Sequence, residues 1–171
     1  MVMSTTALMP VDEYLRLTEK PYCEYRDGAV FPKATPTKFH AIIQCTLMML
    51  LQNQGFQVFP ELTVRLSPTK YLVPDVCVAS YFPGPYPTEP VLLCCEILSP
   101  EDRLGAMLAK CEECHTWGVP FCWLVDPVKR TAWEYHSLSE PVRVTETLRA
   151  GEISVNLNEL LSALAAESAA L

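Results

Sequence analysis

The segment VLLCCEILSP, residues 91–100, constrains the fold more than any other stretch of the sequence. Every residue from Val91 to Leu98 is apolar except Glu96, which predicts a buried β-strand that carries a single acid. Carboxylates are almost never fully buried unless they are paired or bind a metal. Glu96 therefore lies either at the solvated end of a strand or in a functional site that the strand holds in place.

The composition is typical of one compact domain. The chain has 171 residues, of which 50% are hydrophobic and 19% charged, so it can bury a sizeable core and is too apolar for disorder. Its 13 Lys and Arg against 20 Asp and Glu give a net charge of −7. This charge opposes sequence-independent adhesion to nucleic acid, although a cleft of carboxylates neutralised by metal ions is still compatible with a nucleic-acid enzyme.

Two segments bear on where the protein resides. The N-terminal MVMSTTALMPVDEYL has neither a basic start nor a continuous apolar core, which argues against a secretory signal. The apolar helical stretch AIIQCTLMMLLQNQ is interrupted by Gln44 and is short for a bilayer. We therefore expect a cytoplasmic protein with no membrane segment, whose eight cysteines serve as small hydrophobic residues.

The order of predicted elements indicates an α/β or α+β fold, a β-sheet flanked by helices. Helices are predicted over 11–19, 40–54, about 100–117, and from Asn156 onwards. Strands are predicted within 23–31, 57–66, 71–80, 91–98, 120–127, 131–137 and 141–148. We expect a single domain over residues 1–171, with its core at about 8–162 and an Ala-rich C-terminal tail.

Two of the predicted strands each carry one acid in an apolar setting, Asp75 in YLVPDVCVAS and Glu96 in VLLCCEIL. If these strands are neighbours joined by the proline-rich loop FPGPYPTEP, the two carboxylates lie side by side. Paired acids repel each other unless a proton or cation separates them, and Mg²⁺ prefers oxygen ligands. The alternative is that both acids are solvated at strand ends.

Lys110 lies on the helix that follows, about 15 Å along the axis from Pro100. A helix that folds back over the sheet could bring its ammonium group to the carboxylates, where it could orient a water molecule or stabilise a pentacovalent phosphate. On the sequence alone, an exposed helical lysine is the simpler interpretation.

A series of motifs extends over residues 8–162. It comprises VDEYLRL, YCEYRDGAV, KFHAIIQCTLMMLL, Pro74-Asp75, CEILSP at 95–100, Lys110, and WGVPFCWLVDP at 117–127. In this order the motifs resemble the Uma-two family of restriction-endonuclease-like proteins, part of the PD-(D/E)XK nuclease superfamily. The resemblance implies a central mixed β-sheet flanked by helices.

The resemblance also implies an activity, the Mg²⁺- or Mn²⁺-dependent hydrolysis of DNA phosphodiester bonds. Asp75 and Glu96 would be the metal ligands, Lys110 would act on the nucleophile or the transition state, and Glu24 and His40 would support the site. Gln44 lies one turn beyond His40 on the same helix face. Nucleases that cut both strands often pair, so a homodimer is a further expectation.

Two positions depart from the family pattern. The superfamily lysine stands two residues after the second acid, where this chain has Leu98, and Lys110 matches a lysine that takes over from the next helix. Related sequences usually carry a tyrosine four residues after that lysine, where this chain has Cys114. A catalytically inactive nuclease fold, acting as a DNA-binding or protein-interaction module, is therefore the alternative function.

The cysteine-rich string KCEECH raises a separate alternative. It contains the C-x-x-C-H pattern of haem attachment, but it lies within a predicted helix of a chain without an export signal. Cys111, Cys114, His115 and Cys122 could instead bind zinc, although no second close pair completes that pattern. We expect these cysteines to pack in the core.

Overall fold

The structure is a computed structural model that describes residues 8–18 and 22–165. Its helices are α1 (Val11–Tyr14), α2 (Lys38–Gln52), α3 (Leu104–Trp117) and α4 (Leu157–Ser162). Its strands are β1 (Cys23–Arg26), β2 (Ala29–Pro32), β3 (Val58–Pro60), β4 (Val64–Ser67), β5 (Lys70–Leu72), β6 (Val76–Val78), β7 (Leu93–Ile97), β8 (Phe121–Asp126), β9 (Thr131–His136), β10 (Val142–Val144), β11 (Thr147–Ala150) and β12 (Ile153–Asn156).

The largest sheet is mixed and has six strands in the order β10-β9-β8-β7-β6-β3. Strands β7 and β8 are parallel, and the other neighbours are antiparallel. A four-stranded antiparallel sheet has the order β2-β1-β5-β4, and β11 pairs with β12. The mixed sheet flanked by helices confirms the predicted fold class.

Helices α2 and α3 cover opposite faces of the six-stranded sheet. Side chains alternate along β7, so Cys95 and Ile97 pack in one core with the α2 residue Leu47, while Cys94 packs in another with Cys111 of α3. Glu96 points to the same side as Cys94 and therefore faces α3. Each residue of β7 is buried, as expected for a central strand covered on both faces.

The predicted strand at 71–80 is in fact two strands in different sheets. Pro74 has no N–H group for a strand ladder, and the chain leaves the four-stranded sheet after β5 before it enters the six-stranded sheet as β6. Strand β6 then pairs with β7, with Val76 opposite Cys95, so the two predicted neighbours do pair. Asp75 consequently lies at the junction between the sheets.

Several predicted boundaries were wrong by a few residues. Helix α3 begins at Leu104 rather than near Pro100, because Asp102 accepts the Ser99 N–H at 2.7 Å in a turn that precedes the helix. Helix α2 begins two residues early, at Lys38, and β12 was not predicted. Helix α1 is a single turn.

The cap at the last helix was predicted correctly, since the Asn156 side chain accepts the Glu159 N–H at 3.0 Å. The end of the first predicted helix, at residue 19, and most of the Ala-rich tail, from residue 166, lie outside the described residues. No helix within 8–18 or 22–165 is long and apolar enough to cross a membrane.

Gly118 ends α3, as predicted, with a φ of +120° that disfavours other residues. A Cβ atom there would lie 2.8 Å from Cγ of Pro90. We therefore expect Gly118→Ala to lower the free energy of unfolding by about 1–3 kcal/mol, measured by urea denaturation. In the matched control Gly105→Ala, on the same helix, the new methyl group meets nothing within 4 Å, and we expect stabilisation by up to about 1 kcal/mol. Equal effects of the two substitutions would contradict this account.

Candidate active site

A buried lysine lies between two buried glutamates at the floor of a cleft. The Lys110 Nζ of α3 is 2.5 Å from Oε1 of Glu24 on β1 and 2.7 Å from Oε1 of Glu96 on β7. It also donates to the Val73 carbonyl at 3.3 Å. Lys110 is only 6% exposed, so the solvated alternative for this residue was wrong.

Asp75 is held beside this group by the main chain and by α2. Its Oδ2 accepts the Ile97 N–H at 2.7 Å and lies 3.2 Å from Nε2 of His40. Its Oδ1 lies 2.5 Å from Nζ of Lys33. One turn along α2 from His40, Gln44 donates to the Asp75 carbonyl at 2.8 Å. The start of α2 therefore fixes both the backbone and the side chain of Asp75.

Glu24 is equally constrained and is not the exposed hairpin acid that its position next to a turn allows. Its Oε1 accepts the Val73 N–H at 3.1 Å, and its Oε2 lies 3.2 Å from Nη2 of Arg26. Arg26 in turn pairs with Glu113 of α3 at 3.1 Å. These contacts tie the four-stranded sheet to α3 across the candidate site.

The cleft above these groups has a volume of about 120 Å³. All five residues predicted from the sequence line it, namely Glu24, His40, Asp75, Glu96 and Lys110. The structure thus brings together every candidate residue. Their roles stay predictions, because proximity alone does not establish what they do.

The three acids differ in their protonation. Burial opposes ionisation of Asp75, but the hydrogen bond to His40 and the charges of Lys33 and Lys110 outweigh it and hold the Asp75 pKa well below its usual range. Burial also opposes ionisation of Glu24, yet Lys110 lowers its pKa below the ordinary value.

Glu96 behaves in the opposite way, because burial, together with the charges of Asp75 and Glu24, outweighs the opposing charges of Lys110 and Lys33 and raises its pKa to about 8. Burial disfavours the charged form of Lys110, but Glu96 and Glu24 raise the Lys110 pKa well above its usual value. Asp75 and Glu24 are therefore the acids that ionise readily in the site, and Glu96 is the acid that keeps a proton most readily.

This raised pKa makes the stability of the ion-free protein depend on pH. Between about 4.5 and 8 native Glu96 keeps a proton that the unfolded chain has released, so the free energy of unfolding falls as the pH rises through that window. We expect Glu96→Gln to remove this fall. Urea denaturation in EDTA from pH 5 to 9 measures it, and parallel profiles for the two proteins would contradict the raised pKa.

The donor atoms suit a hard divalent cation. Asp75 and Glu96 offer carboxylate oxygens, which Mg²⁺ and Mn²⁺ prefer, and the Glu96 Oε1 is a buried oxygen without an aligned hydrogen bond. Within the part of the chain that the structure describes, no three His, Cys, Asp or Glu side chains converge on one point as a complete ligand set. Mg²⁺ usually keeps several waters and takes only one or two carboxylates from a protein, which is the number that Asp75 and Glu96 offer.

The two cysteines of the string KCEECH lie on the buried side of α3. Cys111 and Cys114 are at most 2% exposed and pack in the core with Cys94 and Cys122, as expected. His115 contacts the Val119 carbonyl through Nδ1 at 2.8 Å. Cys114, in place of the family tyrosine, is therefore part of the core under the helix that carries Lys110.

Two cations of the site were not predicted, Lys33 and Arg26. Lys33 follows β2 in the short segment that leads to α2, and no local motif marks it. For Arg26 the sequence gives a weak indication of a role in the site, because residues two apart in a strand share a face and Glu24 stands two residues earlier. Their roles depend on contacts far along the chain, with Asp75 and Glu113.

A family match and a solved structure relate this chain to known proteins. A family model described as "Putative restriction endonuclease", Uma2, matches residues 11–166. The chain belongs to the Uma2 family. This result confirms the resemblance that the sequence motifs indicated.

One solved structure similar to this Uma2 protein is described as a "putative nuclease belonging to DUF820" from Anabaena variabilis ATCC 29413. It superposes with a TM-score of 0.78 at 24% sequence identity, over 90% of this chain and 97% of that one. At this identity the similarity establishes the shared fold. No curated protein matches the chain.

Proposed function

We propose that the protein is a Mg²⁺- or Mn²⁺-dependent endonuclease that hydrolyses DNA phosphodiester bonds. The observation that carries the proposal is the buried Lys110 between Glu24 and Glu96, next to buried Asp75, in an open cleft. Buried charges that face a cleft are typical of functional sites. Membership of the Uma2 family supports a nuclease and a DNA substrate.

Asp75 and Glu96 would hold the cation through their carboxylate oxygens, and Glu96 would release its proton as the ion binds. A bound Mg²⁺ or Mn²⁺ would lower the pKa of a coordinated water and neutralise charge on the phosphate. His40 and the Ile97 N–H keep Asp75 in one orientation, since both contact its Oδ2.

Lys110 would position the attacking water or stabilise the negative charge that develops on the phosphate oxygens. The water oxygen forms the new bond to phosphorus and releases a proton to solvent, while the bond to the leaving oxygen breaks and that oxygen takes up a proton from solvent. Glu24 does not face the phosphate in this scheme. It holds the Lys110 ammonium group, to which it is paired at 2.5 Å.

The test is cleavage of plasmid and single-stranded DNA with Mg²⁺ or Mn²⁺ and with EDTA. We expect metal-dependent cleavage by the wild type and its loss in Glu96→Ala. The control Glu152→Ala removes an exposed glutamate from a turn and should leave cleavage unchanged. If the wild type cuts neither substrate with either metal and binds no metal by calorimetry, the proposal fails.

A binding module with the same fold is the second candidate, and a specific observation favours it. Each of the three acids contacts an ammonium group, either Lys33 or Lys110, so a structural role for the cluster requires no metal ion. Leu98 and Cys114 also depart from the family pattern. Metal binding that disappears in Asp75→Ala and Glu96→Ala without unfolding would exclude this candidate.

A further inference from the structure

Lys33 occupies the side of Asp75 that faces the cleft. Its Nζ lies 2.5 Å from Oδ1 of Asp75 and donates to the Val73 carbonyl at 2.7 Å. The other oxygen of Asp75, Oδ2, already contacts the Ile97 N–H and His40. Among the contacts of the described residues, Oδ1 has Lys33 as its side-chain partner, so it is the oxygen on which an incoming cation would compete.

Lys33 is held less firmly than Lys110. Its side chain is 14% exposed against 7% for Lys110, and it contacts one carboxylate where Lys110 contacts two. The backbone of Lys33 is fixed, because its N–H donates to the Tyr22 carbonyl at 2.9 Å. The flexible four-carbon stem is therefore the part that can move.

An exchange of Lys33 for a cation leaves no buried acceptor without a partner. The Val73 carbonyl that Lys33 would release also accepts from Lys110 at 3.3 Å. Oδ1 of Asp75 would become a ligand of the cation, and the Lys33 ammonium group would have to leave that oxygen because both cations compete for it. The released ammonium group would then lie at the mouth of the cleft, which Lys33 lines.

We propose that Lys33 is a cation placeholder: it neutralises Asp75 in the ion-free protein, is displaced when the divalent ion binds, and then pairs with a phosphate of the DNA. The inference rests on the proposed metal-dependent function. It makes Lys33 a positioning and DNA-binding residue that competes with the ion before it assists the substrate. An ammonium group on a mobile stem suits a phosphate as a point charge.

The first experiment is calorimetric titration of Mn²⁺ into the DNA-free protein. Lys33→Met keeps the stem and removes the competing charge, so we expect the Kd for Mn²⁺ to fall roughly tenfold. The matched control is Lys129→Met. The Lys129 side chain is 76% exposed and lies 3.5 Å from Asp126, so its removal should leave the Kd unchanged. Lys33→Arg retains the charge and should keep the weaker, wild-type affinity.

The second experiment measures binding of a short fluorescent DNA duplex by anisotropy, with Ca²⁺ as an oxygen-liganded cation and with EDTA. We expect Lys33→Met to weaken DNA binding several-fold in Ca²⁺ and to leave it unchanged in EDTA, where Lys33 stays on Asp75. If the role of Lys33 were only structural, Lys33→Met would change DNA binding to the same extent in Ca²⁺ and in EDTA. If the wild type binds Mn²⁺ and Lys33→Met binds it equally or more weakly, this inference is overturned while the proposed function stands. If the wild type binds no Mn²⁺, the proposed function falls as well.

Discussion

Lys110→Met is expected to lower the free energy of unfolding by about 3–5 kcal/mol, because the buried carboxylate of Glu24 then keeps Arg26 as its cation and loses the closer ammonium group. Glu24 is ionised and buried, and Lys110 is the ammonium group at 2.5 Å from it. For a chain of this length the loss corresponds to a fall in Tm on the order of 10 °C. Urea denaturation at neutral pH in EDTA measures it.

The matched control for this variant is Lys70→Met. Lys70 pairs with Glu113 at 3.1 Å, but its side chain is 34% exposed, so solvent already screens the pair and we expect a loss below about 1 kcal/mol. A second comparison is the double variant Glu24→Gln with Lys110→Met. It removes the negative charge of Glu24 together with the lysine, so it should recover part of the lost stability. If Lys110→Met costs no more than Lys70→Met, the burial of the ion pair has no energetic role.

Asp75→Asn is expected to reduce DNA cleavage by roughly 10³-fold or more and to abolish calorimetric Mn²⁺ binding. The reason is that an amide oxygen replaces an anionic ligand, and metal assistance accounts for several kcal/mol of the barrier to hydrolysis. The pKa of Asp75 lies well below its usual range, so the wild-type carboxylate is available throughout the neutral range.

Asp126→Asn is the control for this second prediction. Asp126 is also a buried aspartate, at the end of β8, where it accepts the Lys129 N–H at 2.9 Å, and it does not line the cleft of the candidate site. We expect cleavage close to that of the wild type. Equal losses of cleavage in the two variants would mean that Asp75 acts through stability rather than through the ion.

The sequence predicted the pair Asp75 and Glu96 for a physical reason. Each acid stands in an apolar segment that predicts a strand, and a single loop separates the two segments, so neighbouring strands would place the acids together. Pairing of β6 with β7 bears this out. The break at Pro74 was not predicted, because the sequence does not show that β5 belongs to another sheet.

Lys110 and Lys33 illustrate the limits of the sequence. An exposed helical lysine was the simpler interpretation of Lys110, and only the family resemblance placed it in the site. Its burial results from the packing of α3 against the sheet, which depends on core residues from several elements. Lys33 was not predicted because its partner, Asp75, is far along the chain. The two residues come together only when the two sheets pack.

The junction at Asp75 has a consequence for synthesis on the ribosome. Glu24 belongs to one sheet, Glu96 to another, Asp75 to the segment between them, and Lys110 to a helix that follows all three. A nascent chain that has emerged only as far as β7 carries all three acids but lacks the lysine that pairs with two of them. The cluster therefore cannot be complete before the residues of α3 have been synthesised.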